Sequence, residues 1–171
     1  MKMNKKYAFV AMLAAVLVLT PLGRAQSWST IGSSCQPGTD SVGLYTYGNG
    51  GTTFQFAPGE TGNISARCQV NNPLDKGVPT WSTLGAGYVD PDGAAGDYEV
   101  QVRLMEANKL TGNSTIVATY DSNTHGINVP TFKSTPFNHT FNFTKFAYYV
   151  TIVVRRSDDA GNPGVWYASL N

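Results

Sequence analysis

The chain has 171 residues, of which 42% are hydrophobic and 13% are charged, and its formal net charge is +1 at pH 7. A typical soluble domain has about 25% charged residues, so uncharged polar side chains are expected to cover this surface. The basic residues are scattered, and only Arg155 and Arg156 are adjacent. This distribution excludes the basic patch of a nucleic-acid-binding protein.

The first 25 residues have the three parts of a secretory signal peptide. Three lysines form a basic start, residues 7–19 are apolar, and the small residues Gly23 and Ala25 precede the predicted cleavage site. A membrane anchor is the alternative, but this apolar run is shorter than the roughly 20 residues that span a bilayer. We therefore predict an exported protein, secreted, periplasmic or at the cell surface, and the lysine-rich leader is typical of bacteria.

Cleavage changes the charge of the protein. Four of the twelve basic residues and none of the eleven acidic residues lie in residues 1–25, which leaves eight basic and eleven acidic residues and a formal charge of −3. No other stretch is long and apolar enough to predict a membrane span. Residues 26–171 have the length of a single domain.

Two cysteines, Cys35 and Cys68, remain after cleavage. In an oxidising compartment an isolated pair favours a disulfide over a catalytic thiol or a pair of metal ligands. Cys68 alternates with polar residues in 64–70, on the same side as Ile64 and Ala66. An inward sulfur of this kind supports a structural bridge.

Short β-rich runs separated by Gly, Asn, Asp and Pro follow one another along the chain, without a helical period. Residues 98–104 alternate apolar and polar side chains. Residues 148–154 are apolar on nearly both faces, which predicts a central strand. The pattern predicts an all-β, antiparallel two-sheet sandwich of jelly-roll or immunoglobulin-like type, with a closed barrel as the alternative. The nine predicted strands are residues 42–47, 52–56, 64–70, 81–89, 98–104, 114–121, 137–143, 148–154 and 165–170.

Aromatic residues suggest a sugar-binding surface, because the apolar face of a pyranose packs flat on an aromatic ring. Tyr45 and Tyr47 share one strand face, opposite the expected inward set of Val42, Leu44 and Thr46, and Trp166 alternates away from Tyr167. The candidate stacking residues are therefore Tyr45, Tyr47 and Trp166. The alternative is that these rings fill the core of a small sandwich.

Three carboxylates, Asp90, Asp92 and Asp97, lie between two predicted strands. Oxygen-rich loops of this kind can hold calcium, but the spacing is not that of an EF-hand. The favoured interpretation is a polar turn fixed by Pro91 and Gly93. The loop 158–164 has a similar composition, and the two loops would meet if they lay at one end of the sandwich.

No sequence pattern indicates catalysis. His125 lies in a loop, and His139 shares a face with Phe137 and Phe141, which is typical of a hydrogen-bonded core histidine. Paired carboxylates of a glycosidase meet in space rather than in sequence, so a hydrolase remains the least favoured of three functions.

Residues 66–74, 88–93 and 146–150 resemble a group of uncharacterised secreted bacterial β-sandwich proteins. This resemblance covers most of the mature chain and implies no activity. The spacing of Cys35 and Cys68 is also weakly similar to that of secreted pilin-like domains. The end of the chain, residues 165–171, lacks the penultimate tyrosine of that family.

These observations predict a non-catalytic exported domain that binds carbohydrate or a cell-surface protein. The alternative is a structural subunit of a surface fibre or matrix, assembled through edge strands.

Overall fold

The computed structural model describes residues 26–74 and 77–171, and the predicted signal peptide lies outside these residues. In the described part of the chain no helix has the length and hydropathy needed to cross a membrane. Eleven strands are present in these residues: β1 (Trp28–Ile31), β2 (Gln36–Pro37), β3 (Tyr45–Gly48), β4 (Thr53–Phe56), β5 (Gly62–Val70), β6 (Thr83–Val89), β7 (Tyr98–Asn108), β8 (Ser114–Asp121), β9 (Thr131–Pro136), β10 (Phe146–Arg156) and β11 (Gly164–Leu170).

The strands form two antiparallel sheets. The six-stranded sheet has the order β3-β4-β11-β6-β9, with β1 also paired to β11, and the five-stranded sheet has the order β2-β5-β10-β7-β8. The eight consecutive strands β4 to β11 therefore run 4-11-6-9 in one sheet and 5-10-7-8 in the other. This order is that of a jelly roll. The predicted two-sheet sandwich is confirmed, and the topology selects the jelly roll over the immunoglobulin-like arrangement.

The alternating strands form the core as predicted. Val100, Val102 and Leu104 of β7 are fully buried, and β10 lies at the centre of its sheet, paired with β5 on one side and β7 on the other. Each such aliphatic side chain contributes about 1.5–3 kcal/mol when it leaves water.

The prediction of a strand at residues 137–143 was wrong. The preceding strand, β9, ends at Pro136, and residues 137–145 form a connection to β10. Phe141 is 1% exposed and packs against Tyr148 and Trp81. The apolar alternation therefore belongs to a loop that closes one end of the sandwich. The strands β1, β2 and β9 were not among the nine predicted ones, and β2 has only two residues.

Cys35 and Cys68 form the predicted disulfide. Both cysteines are buried, and Cys68 lies on the core face of β5 together with Ile64 and Ala66. The bridge holds the start of β2 against β5, where β2 makes only two residue pairs. A buried bridge of this kind is typical of proteins that fold in an oxidising compartment.

Candidate functional site

A β-bulge in β11 places two consecutive aromatic residues on the outer face of the six-stranded sheet. Val165 pairs with Tyr88 and Tyr167 pairs with Gly87, so Trp166 is the extra residue. Two residues opposite one is the pattern of a bulge, which interrupts the alternation of side chains. The sequence prediction that Trp166 points away from Tyr167 was therefore wrong.

Glycines in β6 form the floor beneath these rings. A Cβ atom at Gly87 would lie 2.5 Å from Nε1 of Trp166 and 3.1 Å from Cβ of Tyr167. A Cβ atom at Gly85 would lie 2.6 Å from Cζ of Phe132. Glycine is needed at both positions because the rings of Trp166 and Phe132 lie directly on the strand backbone.

Four side chains, Ile31, Phe132, Trp166 and Tyr167, form what we call the aromatic row. Ile31 pairs with Tyr167, Tyr167 pairs with Gly87, and Gly87 pairs with Phe132, so the row crosses β1, β11, β6 and β9. The ring centroids of Phe132 and Tyr167 are 5.8 Å apart. Ile31 is 41% exposed and Phe132 is 50% exposed, while Trp166 and Tyr167 are half-buried. Contiguous exposed apolar side chains are a common feature of binding surfaces.

The outer face around the aromatic row carries no charged side chain. The pairing register and the burial of the alternate residues identify its outward positions as Ser29, Ile31, Thr46, Gly48, Thr53, Gln55, Thr83, Gly85, Gly87, Val89, Phe132, Ser134, Pro136, Gly164, Trp166, Tyr167 and Ser169. The outer face of the five-stranded sheet differs, since it presents Arg67, Glu99, Arg103 and Arg155. The aromatic row is thus a neutral surface with hydroxyl groups beside it at Ser29 and Ser134.

Tyr45 and Tyr47 lie apart from the aromatic row. They pair with Phe56 and Phe54, which are fully buried, and therefore face the inner side of the sandwich. Their ring centroids lie 5.5 and 6.2 Å from that of Phe54. Val42 is 76% exposed and Thr46 pairs with Gln55 on the outer face, so the predicted inward set was wrong for these two residues, whereas Leu44 packs against the core as predicted. Of the three candidate stacking residues, the structure places only Trp166 on the neutral outer face.

Replacing Tyr45 or Tyr47 with Ala is expected to lower stability rather than ligand affinity. Each half-buried ring packs on Phe54, and its loss should cost about 1–3 kcal/mol, less than a fully buried aromatic. Urea unfolding monitored by tryptophan fluorescence measures the loss. A variant with unchanged stability and weakened ligand binding would show that this tyrosine contacts the ligand.

The loop that carries Asp90, Asp92 and Asp97 closes as a polar turn. The Oδ2 atom of Asp92 accepts hydrogen bonds from the backbone amides of Asp97 at 2.9 Å and Tyr98 at 3.2 Å. Among residues 26–74 and 77–171, no three His, Cys, Asp or Glu side chains are grouped so that they can hold a metal ion. The structure therefore does not gather the three carboxylates around a common point.

Asp90 is the only acidic residue in the buried set of the described chain, with 0% exposure. Its Oδ2 atom accepts a hydrogen bond of 2.5 Å from the Ser122 hydroxyl, which itself accepts one from the amide of Val100. The Oδ1 atoms of Asp90 and Asp92 are buried without another partner. Burial, together with the neighbouring Asp92, raises the pKa of Asp90 to about 7. A proton on Asp90 lets it donate to Asp92 and satisfies both oxygens.

The loops 90–97 and 157–163 meet at one end of the sandwich. The Tyr98 hydroxyl donates a hydrogen bond to the Asp158 carboxylate, and the amide of Ser157 donates to the carbonyl of Asp97 at 2.8 Å. The hydrogen bond from Tyr98 lowers the pKa of Asp158. These contacts tie the two connections together.

The opposite end of the sandwich holds a depression of about 380 Å³ beside Trp81, Phe137 and His139. Trp81 is 2% exposed, so its ring offers little surface to a ligand. Nε2 of His139 lies 3.1 Å from the Tyr148 hydroxyl and 3.5 Å from Oε2 of Glu106. This geometry agrees with the hydrogen-bonded histidine that the sequence indicates.

No protein-family model and no curated protein sequence matches the chain. Among solved structures it is similar to a xylan-binding module, CBM15, with a TM-score of 0.48 and 13% identity over 85% of this chain and 95% of that chain. It is also similar to the low-affinity xylan-binding module CBM86 from Roseburia intestinalis, with a TM-score of 0.41 and 7% identity over 85% and 95% of the two chains. It is also similar to the family 32 module of C. perfringens NanJ in complex with galactose, with a TM-score of 0.38 and 12% identity over 85% of this chain and 93% of that chain.

Proposed function

We propose that residues 26–171 form an exported, non-catalytic domain that binds carbohydrate on the aromatic row. One observation supports this proposal most directly. Ile31, Tyr167 and Phe132 lie in register across one sheet face, Trp166 lies on the same face at the bulge, and Gly85 and Gly87 form the floor beneath the rings. A pyranose presents a flat face of C–H groups, which packs on such rings while its hydroxyls reach outward to polar groups.

The aromatic row has no role in the core that accounts for it. The inner face of the six-stranded sheet is already filled by Leu84, Ala86 and Val165, all fully buried. Apolar groups left on the outer face are solvated at a cost of about 25 cal/mol per Å² relative to burial. A ligand that covers Phe132, Trp166 and Tyr167 recovers this free energy.

Replacing Trp166 or Tyr167 with Ala is expected to weaken polysaccharide binding at least about ten-fold, which corresponds to about 1.4 kcal/mol. Affinity electrophoresis and pull-down on residues 26–171 measure this with a panel of xylan, β-glucan, mannan and galactan. We expect no sugar to be released from the bound polymer, since the domain is proposed to be non-catalytic.

Tyr149→Ala is the matched control for both variants. Tyr149 is a half-buried ring on the outer face of the opposite sheet, where it pairs with Gln69 and Met105. The Tyr149→Ala variant should bind polysaccharide like the unmodified protein. If Tyr149→Ala loses binding while Trp166→Ala keeps it, the binding surface lies on the five-stranded sheet instead.

The second candidate function, a subunit of a fibre assembled through edge strands, is less well supported by the edges themselves. The edge strand β9 carries Lys133 and Pro136, and the edge strand β8 has a bulge at Val117. The other edges, β1, β2 and β3, have only four, two and four residues. Charges, prolines, bulges and short strands all limit pairing between edges. Concentration-dependent polymers in size-exclusion chromatography and electron microscopy would favour the fibre.

A further inference from the structure

We propose that the aromatic row binds an internal stretch of an uncharged polysaccharide, with the sugar chain lying across the strands and leaving over both edges of the sheet. This inference rests on the proposed function, and it adds the orientation, the charge and the chain position of the ligand.

The direction of the row sets the direction of the ligand. Its members are cross-strand neighbours from β1 through β11 and β6 to β9, so the row runs perpendicular to the strands. Three strand spacings give it a length of about 14 Å. This length accommodates several consecutive sugar rings rather than one.

Both ends of the row are open. In the described chain no strand pairs beyond β9, and β1 pairs only with β11. The terminal members, Ile31 and Phe132, are also the most exposed ones, at 41% and 50%. Recognition of a chain end requires a wall that stops the next sugar. Among the described residues no further strand stands beyond either end, and both terminal side chains are exposed, so a polymer can continue past the row in either direction.

The charge of the surface selects a neutral ligand. Carboxylated or sulfated sugars are held by Arg or Lys, which form charge-assisted hydrogen bonds to the anion. The outward positions of the six-stranded sheet include no Arg or Lys; Lys133 is exposed on the edge strand β9, but its register position, opposite Ala86, is on the other side of the strand from Phe132 and Ser134. The formal charge of −3 for residues 26–171 also repels an anionic polymer. Stacking on rings, by contrast, needs no charge on the sugar.

Calorimetric titration of residues 26–171 with neutral β-1,4-linked sugars, from a monosaccharide to a hexasaccharide, tests whether the row binds an internal stretch of the sugar chain or its end. Affinity should rise at least about ten-fold along the series and then stay constant once the row is covered, a gain of about 1.4 kcal/mol. Blocking both ends of the hexasaccharide should leave its affinity unchanged. Binding should be equal at low and high NaCl, because no ion pair forms. Alginate, an anionic polymer, should not bind.

Three variants locate the ligand along the row. Ile31→Ala and Phe132→Ala remove the two ends, so each should weaken hexasaccharide binding while leaving disaccharide binding nearly unchanged. Ser134→Lys places a cation beside the row, and it should gain salt-sensitive binding of alginate that the unmodified protein lacks. Ser134→Ala is its uncharged control and should behave like the unmodified protein.

The outcomes separate the inference from the proposed function. Binding that depends on Trp166 but is equally tight for monosaccharide and hexasaccharide, or that prefers alginate, overturns the inference and keeps the carbohydrate-binding domain. Loss of hexasaccharide binding when both ends of the sugar are blocked also overturns the inference and keeps the carbohydrate-binding domain. If no polysaccharide or oligosaccharide binds at all, both proposals fail.

Discussion

The Asp90→Asn variant should have an unfolding free energy that depends little on pH between about 4 and 7, whereas the native protein should lose stability across this interval. The reason is the environment of the buried carboxyl. Its pKa rises from 3.8 to about 7, mainly through burial and also through the adjacent Asp92, and the hydrogen bond from Ser122 only partly opposes this rise.

The direction of the effect follows from proton binding. Below pH 3.8 both the folded and the unfolded chain hold the proton, and the contribution of Asp90 to stability is complete. As the pH rises towards 7 the unfolded chain releases the proton while the folded chain keeps it, so stability falls. Above about pH 7 neither state holds the proton and the dependence ends. The difference between 3.8 and about 7 sets an upper limit of about 4 kcal/mol.

Urea unfolding at a series of pH values, for the native protein and Asp90→Asn, measures this difference directly. The other ionisable groups facing Asp90 are Asp92 and the phenols of Tyr88 and Tyr120, and burial raises the pKa of both phenols away from this interval. Asp97→Asn is the control, since Asp97 is exposed and should follow the native curve. Parallel curves for Asp90→Asn and the native protein would show that Asp90 holds no proton in the folded state.

Removing the disulfide through Cys35→Ala together with Cys68→Ala should lower the unfolding free energy by about 3–4 kcal/mol. The two cysteines are separated by 33 positions, and the bridge limits the conformations of the unfolded chain. It also secures β2, which has only two pairs with β5. Urea unfolding of the double variant against the oxidised protein measures the loss.

Binding should survive this change wherever the double variant is folded. Cys68 lies in the five-stranded sheet, whereas Trp166, Tyr167 and Phe132 lie on the six-stranded sheet; of the aromatic row, Ile31 has its carbonyl 3.6 Å from Sγ of Cys35. Reduction of the native protein with dithiothreitol before unfolding is a second measurement of the same loss. An unfolding free energy equal to that of the oxidised protein would mean that packing alone holds β2 in place.

Strands whose burial follows a local period were predictable from the sequence. Alternation in β5 and β7 and the continuous apolar run of β10 each arise from the way successive side chains point to opposite faces. The disulfide was predictable as well, because an isolated pair of cysteines in an exported protein favours a bridge. The strand at 137–143 was mispredicted because the rings of a loop, including Phe141, are buried with a similar spacing.

The sequence by itself determined the class of this protein: an all-β sandwich with a Cys35–Cys68 bridge and a surface poor in charge. Only the tertiary structure decided where the aromatic residues lie. The bulge at Trp166 breaks the local alternation, and the partners of Tyr167 and Phe132 come from strands distant in sequence. Alternation is a property of neighbouring residues, whereas the register between strands depends on the packing of the whole sheet. For this reason Tyr45 and Tyr47 face the core, and Trp166, Tyr167 and Phe132 share the neutral outer face.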